Sequence, residues 1–149
     1  MTRVDFYLLE DLSLIAGARF ACRLAAKAVL GGSQVYVHTN NSEHAAEIDA
    51  LMWDYPRQQF LAHELVGAPL SADKAQSVTP VLIGCGKEPV GDQVLINLAD
   101  SVPKFIGRFD RVAEVIVGER KTDGRERYKF YRDCGYPLHH HEMSNWEEA

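Results

Sequence analysis

The chain is poor in cysteine: Cys22, Cys85 and Cys134 are its three, with no Cys-x-x-Cys pair in 149 residues. So few thiols, so widely spaced, exclude a disulfide framework and a zinc site, and fit the reduced thiols of a cytoplasmic protein. Long apolar runs are missing as well. None approaches the ~20 residues of a membrane helix, so no membrane association is expected. The opening Met1-Thr2-Arg3-Val4-Asp5 carries charge inside the first apolar run and no small-residue cleavage signal, unlike a signal peptide. Glycine is absent where a dinucleotide fold needs it. The first strand-to-helix junction reads Leu9-Glu10-Asp11-Leu12-Ser13-Leu14, which gives a pyrophosphate no approach to the backbone. Gly84-Cys85-Gly86-Lys87 has no Ser or Thr after the lysine, and Pro89 follows two residues on, so it reads as a turn and not as a phosphate loop. Positive charge is short overall: 16 Lys and Arg face 21 Asp and Glu, for a net charge of −5. That balance opposes broad wrapping of duplex nucleic acid, which takes a large excess of cations. No cofactor and no metal are expected.

What is present is an ordinary globular composition, 46% apolar and 25% charged, at a length that buries one core. Residues 4–9 are β-branched and aromatic and predict a buried strand. Apolar residues then recur at Leu14, Ala18, Ala21, Cys22, Ala25, Val29 and Leu30, the period of a helix over 13–30 closed by Gly31-Gly32. A strand over 34–38 follows, and then a helix over 43–53 with Asn40, Asn41 and Ser42 as candidate caps. Strand, helix, strand, helix in this order is the mark of a parallel sheet with crossovers. The pattern then loosens. Phe60-Leu61 with Leu65-Val66 suggests a short strand, and residues 67–79 a loop. Strands are predicted at 81–83, 94–96 and 112–117, a short helix from Pro103 to Phe109, and a terminal helix over 119–134 stopped by Gly135 and Pro137. The fold class is α/β, a mostly parallel sheet flanked by helices. Residues 1–138 form a single domain in this reading, and 139–149 a C-terminal tail.

The terminal helix is a basic island. Residues 120–132 hold six Lys or Arg against two acids, which leaves −9 for the rest of the chain. At helical spacing Arg125, Tyr128, Lys129 and Arg132 share a face, with Lys121 one turn earlier. Arg127, Phe130, Tyr131 and Cys134 take the other side, where packing on the sheet is expected, with Arg127 reaching to solvent. Gly124 interrupts the helix at a cost of about 1 kcal/mol and draws its start toward that residue. The bland alternative is a solvated helix face. Against it, the stripe contains no acid. A ring between cations suits a ligand with carboxylates and an apolar anchor.

Other chemistry-bearing residues carry less. Cys85 or Cys134 with His38 or His63 would make a nucleophilic pair, but no local signature accompanies them. The cysteines read as buried small hydrophobes. His139-His140-His141-Glu142 looks like a metal tract, yet successive side chains of an extended segment diverge.

Arg125-Glu126-Arg127-Tyr128-Lys129-x-Tyr131-Arg132 followed by Gly135, with Phe6-Tyr7-Leu8-Leu9 and Leu51-x-Trp53-x-x-Pro56-x-x-x-Phe60, resembles the chi subunit family of bacterial DNA polymerase III holoenzyme. The resemblance implies a Rossmann-like α/β domain without a nucleotide-binding loop. It further implies an adaptor that binds the acidic C-terminal tail of single-stranded-DNA-binding protein. The matching tail-binding positions are Lys121, Arg125, Tyr128 and Lys129, joined by Ile116. Arg125 or Lys121 would hold carboxylates, and Tyr128 with Ile116 would wall a pocket for the tail's terminal phenylalanine. A second implied partner is the psi subunit of the clamp loader, on the segment carrying Trp53, Tyr55 and Phe60. There the plainer reading has Trp53 close the core as the last turn of its helix. A helicase in place of the polymerase is a further partner the family allows, and DNA is reached only indirectly. Two other classes stay open: a module that binds single-stranded nucleic acid directly by stacking on Tyr128, and a small α/β enzyme with an unrecognised site.

Overall fold

The computed structural model describes residues 2–10, 14–54, 62–65, 80–85, 91–118 and 121–143. Within them, seven strands form one sheet in which every pairing is parallel. The strands are β1 (Arg3–Leu9), β2 (Val35–His38), β3 (His63–Leu65), β4 (Val81–Gly84), β5 (Val94–Asn97), β6 (Arg111–Ile116) and β7 (Leu138–Met143). Their order across the sheet is β3-β4-β2-β5-β6-β1-β7. The helices are α1 (Leu14–Leu30), α2 (Ser42–Asp54) and α3 (Lys121–Asp133).

Both sheet faces are apolar, which is why the central strands read as unbroken hydrophobic runs. On one face Val35, Val37, Val81, Ile83, Ile96 and Ala113 pack under α1 and α2. On the other, Val4, Phe6, Tyr36, Leu82, Leu95, Val112 and Ile116 meet Tyr131 of α3 and the rings of the 105–109 segment. Alternation along β1 therefore sends Val4 and Phe6 toward α3 and leaves Asp5 and Tyr7 on the α1 side. The helix ends follow local chemistry. Asn41 caps α2 by accepting a bond from the His44 amide at 2.8 Å. Gly32 (φ 91°) and Gly135 (φ 83°) end α1 and α3 in the left-handed conformation that glycine adopts without strain. At each end three amides fold back onto the helix carbonyls, Ser33 to Ala28 and Tyr136 to Tyr131 among them.

Four sequence expectations change. The segment after Pro103 holds only a 3₁₀ turn, Ile106–Arg108, where the Arg108 amide bonds Phe105 three residues back. The anchoring rings of Phe105 and Phe109 and a mid-segment Gly107 favour a tight turn there over a helix. The short strand is centred at His63–Leu65; Phe60, Leu61 and Val66 lie outside the described residues. Residues 139–143, expected in the tail, belong to β7, which pairs with β1 from Val4↔Leu138 to Leu9↔Met143. The sheet edge supplies the hydrogen bonds that make a strand of a run with no apolar alternation of its own. Finally, α3 runs through Gly124 and does not start at it.

Candidate functional site

The sheet-facing line of α3 is Gly124, Arg127 and Tyr131, all buried, with Tyr128 half-buried beside them. These are the i, i+3, i+4 and i+7 positions of a helix laid on a sheet. Arg125, Lys129 and Arg132 stand exposed along one outer flank. Lys121 belongs to α3, but its side chain lies outside what is described.

Arg127 departs from expectation. It points inward and gives a hydrogen bond from Nη1 to the Glu114 carboxylate at 2.9 Å. Glu114, on β6, is fully buried, and also accepts from the Tyr131 hydroxyl at 2.6 Å and from Asn97 Nδ2 at 3.1 and 3.0 Å. Nε of Arg127 is buried without a partner among the described residues. Burial pushes the Glu114 carboxyl upward, against the pull of Arg127, Tyr131 and Asn97. The Tyr131 hydroxyl is pushed far up by burial and by the carboxylate it bonds. This network fastens α3 to β5 and β6. Phe130 and Cys134, expected on the sheet side, are exposed instead, Phe130 to 47%. With 124, 127 and 131 defining the buried line, both fall on the helix shoulder.

Beside the network, between α3 and the sheet, lies a pocket of about 320 Å³. Phe6, Leu8 and Leu9 of β1, Ile116 of β6, Gly124, Arg125 and Tyr128 of α3, and His140 of β7 line it. Its size is at the small end for ligand pockets. The Tyr128 ring packs 5.3 Å from Phe6, so its inner face is a wall of the cavity. At Gly124 helix and strand are close: a Cβ there would come within 2.9 Å of Ile116 Cγ2. Glycine at this point keeps the space open. An apolar recess with Arg125 in its lining, and Lys129 and Arg132 along the same helix flank, suits a ligand that joins an apolar group to negative charge. Arg132 has a loose ion pair with Asp133 at 3.7 Å; both are exposed, so the pair contributes little.

Of the residues singled out in the sequence, Ile116, Arg125 and Tyr128 come together in the pocket, and Lys129 and Arg132 continue its basic flank. Phe6, Leu8, Leu9, Gly124 and His140 were not anticipated there. By helix propensity alone Gly124 is a cost to the helix, and His140 falls in the expected tail. The second candidate surface is represented by Trp53, which is 64% exposed and does not close the core. Its ring stands edge-on to His63 at 4.7 Å, and His63 Nε2 lies 3.3 Å from Asp49 Oδ1. Tyr55 and Phe60 lie outside the described residues. Among the described residues no group of three or more His, Cys, Asp or Glu could hold a metal ion. No described helix is long and apolar enough to cross a membrane. Cys22 is buried, which raises its thiol to about 12; Cys85 is half-buried.

Comparison with known proteins adds to this geometry. The family described as DNA polymerase III chi subunit, HolC, matches residues 1–139. The chain belongs to the DNA polymerase III chi subunit family. A DNA polymerase III subunit chi of Pseudomonas aeruginosa is 37% identical over 146 residues, covering 96% of this chain and 98% of the relative. Those of Haemophilus influenzae and Escherichia coli are 31% and 27% identical, covering 90% and 93% of this chain and 92% and 96% of theirs. Membership in the chi family makes the chain an accessory subunit of DNA replication. Solved structures share the fold alone. A DEAD-box helicase domain 2 of Mss116p, bound in that structure to an RNA duplex, has a TM-score of 0.67 at 8% identity, over 97% of this chain and 66% of that one. The Pyrococcus furiosus Hef helicase domain has a TM-score of 0.56 at 16% identity, over 76% of this chain and 28% of that one. Both likenesses agree with an α/β, Rossmann-like class.

Proposed function

We propose that this chi-family chain is a non-catalytic adaptor that captures the acidic C-terminal tail of single-stranded-DNA-binding protein in the pocket under α3. The observation that carries the reading is an apolar recess with Arg125 in its lining and the cations Lys129 and Arg132 on the same helix flank. An aromatic terminal side chain enters between Tyr128, Ile116 and Phe6. The terminal carboxylate meets Arg125, and the aspartates before it run along Lys129, Arg132 and Lys121. The exposed Trp53 surface, with Tyr55 and Phe60 next to it in sequence, would carry the second contact, to the psi subunit of the clamp loader, or to a helicase where one replaces the polymerase. DNA is then reached only through the coating protein, in the cytoplasm.

The test is titration of a labelled acidic peptide ending in phenylalanine. Binding is expected in the micromolar range and to weaken as salt rises. Arg125→Ala with Lys129→Ala should weaken it by at least about tenfold, since hydrogen bonds to charged groups contribute about 1.5–3 kcal/mol each. Unchanged affinity in the double variant would remove this site assignment. Tight binding of an oligonucleotide alone would favour direct single-strand recognition instead. Against that outcome, Tyr128 is half-buried on Phe6 and offers a base little free ring surface.

A further inference from the structure

Three histidines in a row, His139, His140 and His141, are divided by the pleat of β7. His141 points to the α1 face, where Nε2 lies 3.0 Å from the buried Asp5 carboxylate and the ring stacks on Tyr7 at 4.8 Å. His140 points the other way. It is paired in register with Phe6, is exposed to solvent, and lines the pocket with its ring centre 6.3 Å from that of Tyr128. The pocket thus has a fixed cation on its helix side, Arg125, and an imidazole on its sheet side.

We infer that His140 is a specificity-determining residue of the peptide site, adding a second positive charge to the pocket when its imidazole takes up a proton and so tightening the hold on an anionic peptide end. The inference rests on the reading that this pocket takes an acidic peptide. Imidazole is the side chain whose charge changes between pH 5 and 8. The other charged groups on this side come from α3, β6 and β7. From α3 come the cations Arg125, Lys129 and Arg132. From β7 comes Glu142, next on the same face and opposite Leu8. β1 and β6 bring Phe6, Leu8 and Ile116 to the pocket, none of them titratable; Glu114 of β6 lies on the same sheet face across Phe6, outside the pocket lining and held under α3 by Arg127, Tyr131 and Asn97. The peptide's own carboxylates remain ionised above about pH 5. Apolar walls strengthen the effect, because a charge beside them is less well screened than one in open water.

The experiment is fluorescence anisotropy of the full chain with a labelled acidic peptide ending in phenylalanine, in low salt, at pH 8.0, 6.5 and 5.5. Wild type should bind about three- to fivefold more tightly at pH 5.5 than at pH 8.0, the size of one exposed charge pair. His140→Gln should flatten the profile at the weak end. His140→Arg should flatten it at the tight end, so the charge is tested by a gain as well as by a loss. His139→Gln, altering an exposed residue on the other face, should keep the wild-type slope. A His140→Gln protein that keeps that slope overturns the inference. So does a wild-type affinity constant across the range while Arg125→Ala still weakens binding, and that result leaves the peptide site standing. Absence of peptide binding at every pH removes the peptide site itself, and this inference with it.

Discussion

Two buried carboxylates, Glu114 and Asp5, sit on neighbouring paired strands and face opposite sides of the sheet. Glu114 is sealed under α3 with one full cation, Arg127, and two neutral donors, Tyr131 and Asn97. Asp5 lies on the α1 face and is itself buried, but its partners Arg3 and Arg111 at 3.1 Å and His141 at 3.0 Å have side chains 43, 51 and 38% exposed. The outcome differs in sign. At Glu114 burial outweighs the donors, and the carboxyl titrates above its ordinary range. At Asp5 burial also pushes upward, yet the bonds from His141, Arg111 and Arg3 together prevail, and the carboxyl titrates below it. A buried carboxylate ringed by half-open cations stays readily charged, while a sealed one with a single cation resists its charge. The two anchors serve the two walls of one pocket. Glu114 fastens α3, which supplies Arg125 and Tyr128. Asp5 fastens β7, which supplies His140.

The strongest way to break this comparison is to remove each carboxylate. Glu114→Ala leaves the Arg127 guanidinium buried and unpaired, and strips Tyr131 and Asn97 of their acceptor. A loss of about 3–5 kcal/mol is expected by urea unfolding. Asp5→Ala lets Arg3 and Arg111 turn to water, so a loss of about 1–3 kcal/mol is expected. In about 1 M salt, where the screening length is about 3 Å, the Asp5 effect should shrink and the Glu114 effect should hold. An Asp5→Ala loss equal to that of Glu114→Ala would mean that sealing is not what separates the two sites.

The pH dependence sharpens the same contrast, because the two signs are opposite. The folded-state value of Asp5 is lowered. Its contribution to stability is therefore present above the unfolded value, about 3.9, and lost as pH falls through the folded one. The folded-state value of Glu114 is raised. Its favourable contribution is complete below the unfolded value, about 4.3, and declines as pH rises through the folded one. Unfolding free energies of wild type, Asp5→Asn and Glu114→Gln from pH 3 to 8 should then diverge. Relative to Asp5→Asn, wild type gains stability as pH rises out of the acid range. Relative to Glu114→Gln, it loses stability over a range that begins near pH 4. Slopes of the same sign would contradict the comparison.

The sequence disclosed the central strands because they bury two apolar faces, and α1 because its apolar line repeats every three or four residues. It did not disclose the anchors. Glu114 sits inside an apolar run, and its partners Arg127 and Tyr131 lie 13 and 17 residues away. Nothing in local spacing tells a buried acid from an exposed one. The basic flank, Arg125, Lys129 and Arg132, was legible from helical spacing, and Ile116 from family resemblance. β7 was not legible, since His139 to Glu142 has no apolar period and becomes a strand through pairing with β1. That omission also hid His140, although Leu138, His140 and Glu142 alternate as a strand would require.

Gly124 provides the smallest expected effect and the most selective one. As a helical residue it costs about 1 kcal/mol relative to alanine. As a contact it is fitted to Ile116, whose Cγ2 would lie 2.9 Å from an added Cβ. Gly124→Ala therefore gains helix propensity and loses through overpacking, a term of about 1–3 kcal/mol when neighbours must move. Ile116 is buried and β-branched and yields only together with its surroundings, so the propensity gain offsets part of the overpacking and the net loss of unfolding free energy should be no more than about 2 kcal/mol. The pocket should register the change as well. The new methyl group and the displaced Ile116 both occupy pocket space, so affinity for the acidic peptide should fall while Arg125 and Lys129 remain in place. Retained affinity at unchanged stability would show that the ligand's apolar group does not reach the floor between α3 and β6, and would move the anchor point outward along Tyr128.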